Sequence, residues 1–424
     1  MAPRMSLGNQ RNRWTIAALL GVGVLVNYFD RVNLTVSHDA LRADFGISDI
    51  TFGFLLGAYN WTYAATQLPW GVLLDRLGVR RVGCVSTLIW SAASFAAALS
   101  RSIPAFFGAR FLLGIGEAPT FPANAKAVGL WFPAEQRGLA TSFFDSAAKF
   151  SSAVGVPLIG LLLLHVGWRL SFAATGVISL LYFALFCGVY RDPVEHELSA
   201  PTNGSSATRQ VHAALGYLLR QPKVIGLAIG FGSYNYVFYL LLTWLPVYLS
   251  RALHINLAAS FLYTGVPWLI ATATDLVIGG WLVDHLIHRG WNANRVRTVI
   301  LIGGTAMGLG ILGGAHAHTP AQALFWISFS IGGLSAAAPV GWSIPSLIAP
   351  RNSVGTVGGI LNFSNQISGI AAPIITGFLV NGRQSFAAAF FVAGAYLIIG
   401  IAAYIFLLRE ISIIPMPDET ASTN

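Results

Sequence analysis

The first apolar run of the chain, Trp14–Val36, is long enough to cross a lipid bilayer, and eleven runs of similar kind follow it. A helix rises about 1.5 Å per residue, so about 20 residues cover a hydrocarbon layer about 30 Å thick. Six runs fall near 14–36, 50–73, 82–100, 104–125, 138–164 and 168–190. A polar stretch from Arg191 to Pro222 includes Pro201-Thr202-Asn203-Gly204-Ser205-Ser206 and reads as a flexible linker. Six more runs lie near 224–249, 257–283, 298–315, 320–343, 354–380 and 385–408. The expected fold is therefore an all-α polytopic membrane protein with twelve transmembrane helices in two six-helix halves. Residues 1–190 form the first half, 191–222 a cytoplasmic linker and 223–424 the second half. Composition agrees, with 55% hydrophobic and 10% charged residues, where a soluble domain carries about a quarter charged.

Orientation follows from counting the 25 Lys and Arg. With alternating sides, 17 share the side of both termini, five lie opposite, and Arg31, Arg110 and Lys149 lie within runs. Basic loops stay inside, which places both termini in the cytoplasm of a multi-pass protein of the plasma (inner) membrane. The net charge of +9 is thus an orientation signal and not a nucleic-acid surface. Arg4, Arg11 and Arg13 precede the first run as in a signal peptide, but no small-residue cleavage site follows and the run is full length, so the segment is expected to be retained. Cys84 and Cys187 both lie inside apolar runs, from which neither a disulfide framework nor a metal site is expected. No nucleophile–base pair or metal-ligand cluster stands out, so neither an enzyme nor a cofactor is expected.

The charges inside the runs are the functional candidates: Asp30, Arg31, Arg110, Glu117, Asp145, Lys149 and Asp275. Seven uncompensated charges would cost on the order of 20 kcal/mol, so most must be paired or face water. For Asp30-Arg31 two readings stand open, a buried structural ion pair and a cavity site. Asp30 lies 16 residues past Trp14, about 24 Å from the inner edge, and Arg110 lies about 9 Å from the outer edge on the inward-heading fourth run. These two can meet at one depth. Arg110 and Glu117 share a helix face two turns apart, with Gly114 and Gly116 permitting a neighbour's close approach, so a proton on Asp30 or Glu117 would change what Arg110 pairs with. Asp145 and Lys149 stand at the favourable i, i+4 spacing, either as a local salt bridge or as an anion contact with a removable partner. Asp275, near the inner edge, is read as a gate or a snorkelling acid.

An internal repeat ties the halves together. Gly71 and Gly280 share an offset of 209 residues with Asp75 and Asp284, at the exits of the second and eighth runs. Paired repeats around a central site are a transporter architecture.

Gly71-x3-Asp75-Arg76-x-Gly78-x-Arg80-Arg81 resembles the loop motif of the major facilitator superfamily, and Arg110-x3-Gly114-x-Gly116 its fourth-helix motif. Tyr28-Phe29-Asp30-Arg31, Gly116-Glu117-Ala118-Pro119-x2-Pro122, Trp131-Phe132-Pro133-x2-Glu135-x-Arg137 and Thr243-Trp244-Leu245-Pro246-x-Tyr248-Leu249 are similar to its anion:cation symporter family, which includes galactonate and glucarate carriers, sialin and vesicular glutamate transporters. The likeness covers nearly the whole chain. It implies that the third, sixth, ninth and twelfth helices, which carry no charges, face lipid while the other eight line a cavity. It also implies that Asn362 contacts substrate and that Tyr63 is a cavity tyrosine. Asp145 and Lys149 depart from the galactonate carriers, which align with neutral residues there, so those carriers' substrate is a poor guide.

The second half offers Asn235, Tyr236 and Tyr239, Trp342 and Ser343, and Asn362, Asn365 and Gln366. Such groups orient a hydroxylated or carboxylated ligand, or tie helices together. The expected function is proton-coupled symport of a small organic anion (a sugar acid, a di- or tricarboxylate, or an aromatic carboxylate) by alternating access. Its partners are that anion, protons and the lipid bilayer, with the protein acting as a monomer. Substrate binding falls to Tyr28, Arg31, Tyr63, Lys149, Asn235, Tyr239, Trp342 and Asn362, and proton coupling to Asp30, Glu117 and Arg110. Gating or structural roles fall to Asp75, Arg76, Arg80, Asp145, Asp275 and Asp284. The alternatives are an anion uniporter or exchanger, and a facilitator or exporter of neutral or lipophilic molecules, which would not need Arg31 and Lys149 in the cavity.

Overall fold

A computed structural model describes residues 7–132, 137–193, 216–350, 354–381 and 385–415. Every regular element among them is helical, as backbones in lipid require, since their N–H and C=O groups must find partners internally. The chain forms two compact units, the first of Met1–Asn203, Leu242–Ser250 and Asn256–Gly265, the second of Gly204–Leu241, Arg251–Ile255 and Val266–Asn424.

In the first unit the first span is Leu7–Val36, followed by a short helix, His38–Phe45, that Gly46 closes in the left-handed region (φ 64°). The second and third spans form one helical stretch, Asp49–Ala98, capped by the Ser48 hydroxyl and interrupted at Gly78 (φ 80°). The fifth and sixth share Arg137–Val189, interrupted at Gly167 (φ 78°). The fourth is divided into Ile103–Glu117 and Thr120–Trp131, because Pro119 has no N–H to give the carbonyl of Ile115. The Trp70 indole donates to that carbonyl instead, at 2.8 Å.

Pro246 creates the same vacancy in the seventh span, Pro222–Ala252, and the Thr35 hydroxyl donates to the freed Leu242 carbonyl at 3.2 Å. Leu242–Ser250 belongs to the first unit partly through Trp244, whose ring lies 5.8 Å from His38 and 5.7 Å from Phe52. His38 itself bridges Asp39 (2.6 Å) and Asp49 (3.0 Å).

The helix Leu257–Thr274 passes from the first unit into the second at Val266, and the second unit continues through a π-helical segment at Asp275–Leu282 into Val283–His288. Ala293–Met307 and Ile311–Ala315 join through a 3-10 turn, and Pro320–Ile348, Val354–Val380 and Ala387–Ala403 complete it. Nine helices among the described residues are long and apolar enough to cross a membrane, and one of these, Phe143–Val189, carries two of the twelve runs. The second and fourth runs are helical but are not among the nine.

Val85, Leu88, Leu181 and Leu185 on the third and sixth spans are exposed, as are Val299, Ile398 and Ile399 on the ninth and twelfth. The two cysteines correct the sequence reading. The third and sixth spans lie side by side, so Cys84 and Cys187 meet with Cα atoms 5.8 Å apart and their sulfurs joined. Separation along the chain hid a neighbourhood that helix packing creates.

Candidate functional site

Consecutive helical residues point about 100° apart and do not face each other, so Asp30 and Arg31 take different partners. The Asp30 carboxylate accepts from Ser94 of the third span (2.7 Å) and Ser179 of the sixth (2.9 Å). Arg31 turns the other way and pairs its Nε with Glu117 of the fourth span at 3.0 Å. Its guanidinium lies between the rings of Tyr28 (4.5 Å) and Tyr59 (4.6 Å), with Tyr63 at 5.7 Å. Such stacking holds an arginine in one plane and contributes about 0.5 to 2 kcal/mol per ring. The ion-pair reading of Asp30-Arg31 as a dipeptide is thereby replaced by two separate pairings.

Arg110 does reach the depth of Asp30, but its Nη1 donates to the Asp30 backbone carbonyl (3.4 Å) and its guanidinium lies 5.8 Å from the Tyr59 ring. The salt bridge of Glu117 is with Arg31, so a proton on Glu117 changes the pairing of Arg31 rather than of Arg110. Spacing fixes which residues share a face, and only packing decides whose guanidinium fills the space opposite. Gly114 and Gly116 make this approach possible. A methyl at Gly114 would collide with the Tyr59 carbonyl, and one at Gly116 would lie 2.7 Å from the Trp90 nitrogen. Asp30, Arg31, Arg110 and Glu117 are all buried.

Lys149 of the fifth span is buried and lies 3.3 Å from Asp145. Asp145, Lys149, Arg31 and Glu117 are all within electrostatic reach of the Tyr28 hydroxyl, so the charges of the first, fourth and fifth spans form one cluster. Tyr59 is missing from the sequence reading, although its i, i+4 spacing to Tyr63 on a polar helix face was a usable signal.

In the second unit Asn235 donates to Asn365 (2.7 Å) and to the Phe231 carbonyl (3.0 Å), a tie between the seventh and eleventh spans. Trp342 is exposed with its edge on Phe231 (5.1 Å), Tyr239 is buried and Asn362 is half-buried. Asp275 opens the π-helical segment and is buried, which does not fit a snorkelling acid.

Among the loop residues, the side chain of Asp75 lies outside the described residues, as do Pro133 and Glu135 and the side chain of Arg137. Arg76 and Asp284 are exposed. Arg80 donates to the Cys187 carbonyl at 3.1 Å. Asp192, which the sequence reading missed, accepts from the backbone N–H of Val79 (3.2 Å) and Arg80 (3.4 Å). A carboxylate there caps the unpaired amides that open the third span.

Paired charges spread over several membrane helices, with aromatic rings stacked on the central cation, are the interior of a solute transporter; no group of three or more metal-ligating side chains occurs among the described residues. Residues 20–373 match the Major Facilitator Superfamily. The chain is 38% identical over 411 residues to an uncharacterized transporter, YybO, of Bacillus subtilis, covering 94% of each chain. It is 30% identical to the probable galactarate/D-glucarate transporter GudP of the same organism, covering 94% of this chain and 92% of the relative. In fold it is similar to a bacterial homologue of the human lysosomal transporter Spinster, with TM-score 0.75, 16% identity and coverage of 94% and 97%. The chain belongs to the Major Facilitator Superfamily, whose members are transporters and not enzymes.

Proposed function

We propose that this protein is a proton-coupled symporter that brings a small organic anion into the cell by alternating access of its two halves, as a monomer in the plasma membrane with both termini cytoplasmic. The observation that carries the reading is the buried Arg31–Glu117 pair at 3.0 Å. A guanidinium fork fits a carboxylate with two hydrogen bonds, so the substrate's carboxylate competes with Glu117 for Arg31. A displaced Glu117 would be a buried charge without its partner, which costs several kcal/mol unless a proton neutralises it. Anion and proton therefore bias one equilibrium together, and the coupling is reciprocal. Asp30 receives the proton from outside and Glu117 releases it inside, with Arg110 adjusting between them. Tyr28 and Tyr63 shape the anion site, and Asn235, Tyr239, Trp342 and Asn362 contribute hydrogen-bonding and aromatic groups to it. The relative named for galactarate and D-glucarate supports an acidic sugar derivative as cargo. Asp75, Arg76, Arg80 and Asp284 act in gating.

Glu117→Gln mimics the protonated form. In proteoliposomes loaded with a candidate anion it is expected to exchange label across the membrane while losing accumulation driven by a pH gradient. Uphill uptake that survives in Glu117→Gln removes this residue from coupling. Survival in Asp30→Asn as well removes proton coupling through this cluster, whereas a wild type without pH-driven accumulation leaves an anion uniporter or exchanger as the reading.

A further inference from the structure

The Arg31–Glu117 pair has a counterpart on the fifth span. The Lys149 ammonium lies 3.3 Å from the Asp145 carboxylate, with side-chain exposures of 4% and 22%. A cation buried in the middle of an apolar run costs stability that an apolar residue would not, and a local pair offsets that cost only in part. The placement is specific. Ser151 donates to the Leu25 carbonyl at 2.8 Å, and a methyl at Gly155 would lie 2.9 Å from the Phe29 ring. These two contacts hold the fifth span along the first, which brings Lys149 within electrostatic reach of the Tyr28 hydroxyl, whose ring Arg31 covers at 4.5 Å. Arg31 on the Tyr28 ring and Lys149 on the adjoining fifth span each have a resident carboxylate.

We propose that Lys149 forms a second anion subsite in which Asp145 is the stand-in for substrate, so that the cargo is a small dianion, a dicarboxylate or a sulfonated carboxylate. One acidic group takes Arg31 from Glu117 and the other takes Lys149 from Asp145. Asp145, the more exposed of the two acids, turns toward water when displaced. A monoanion satisfies one cation and leaves the second pair in place. This rests on the organic-anion reading above.

The test compares matched acids that differ by one charge: D-glucarate with D-gluconate, malate with 3-hydroxybutyrate, and phthalate with benzoate. Affinity for each is measured by thermal shift on the purified full-length protein. The wild type is expected to prefer the dianion of at least one pair. A charge-assisted contact contributes about 1.5 to 3 kcal/mol, so Lys149→Gln is expected to weaken that dianion about 10-fold or more while its monoanion changes less than about 3-fold. Lys149→Arg is expected to restore most of the preference. The double variant Asp145→Asn/Lys149→Gln removes the pair as a unit, leaves no unpaired charge, and gives the same readout should the single variant not fold. Equal loss for both members of a pair, no loss, or a wild type indifferent to the second charge overturns the subsite but leaves the organic-anion reading intact. A wild type stabilised by none of the six acids overturns that reading itself.

Discussion

Arg31 shows why a charge in a membrane helix depends on its surroundings for its role. The two flanking tyrosine rings fix the guanidinium plane, and Glu117 occupies the edge that an incoming carboxylate would take. Arg31→Lys keeps the charge but loses both the planar stacking and the two-pronged hydrogen bonding. Affinity for the transported anion is expected to fall about 10-fold or more, the equivalent of about 1.5 kcal/mol, as read by titration calorimetry. Unchanged affinity would move the clamp to Arg110. Asp30 differs because its carboxylate is held by two serine hydroxyls from spans without charges. The third and sixth spans thus present apolar side chains outward and buried serines inward, Ser94 and Ser179 among them.

At the scale of the helices, Pro119 divides the fourth span while the seventh runs on through Pro246, and at both a neighbour fills the carbonyl that loses its helical donor. Trp70 serves Ile115 before Pro119, and Thr35 serves Leu242 before Pro246. Lys126 likewise donates to the Leu74 carbonyl (2.8 Å) where the second span ends at Gly78. In water such carbonyls would be solvated, but here each substitution strands a buried acceptor. Trp70→Phe keeps the ring and removes the donor, and is expected to destabilise the protein by about 1 to 3 kcal/mol. A lowered melting temperature in detergent checks this, and an unchanged one would show that Ile115 finds another donor. The same variant is expected to disturb transport, because the break lies two residues past Glu117.

For the whole molecule, the asymmetry of basic residues predicts which side each loop faces. A cysteine introduced at Ser205 in a Cys84→Ser/Cys187→Ser background is expected to react with a membrane-impermeant maleimide only when the cytoplasmic face is opened. Labelling in intact cells would invert the topology. The background itself is expected to fold, since the two cysteines join spans that already pack through apolar side chains.

The sequence by itself determined the class of the fold, the number of apolar runs and the residues able to carry charge across them, because hydrophobic length and charge cost are properties of each run alone. It also revealed the repeat at Asp75 and Asp284 and the shared face of Arg110 and Glu117, since both follow from fixed helical spacing. Only the tertiary structure decided that Glu117 belongs to Arg31, that Asp30 is held by Ser94 and Ser179, that Tyr59 stacks on the central cation and that Cys84 meets Cys187. All but the Arg31–Tyr59 contact, which links consecutive spans, join helices far apart in the chain. Which helices become neighbours, and at what rotation, depends on close approaches such as Gly114 against Tyr59, and no single run records those.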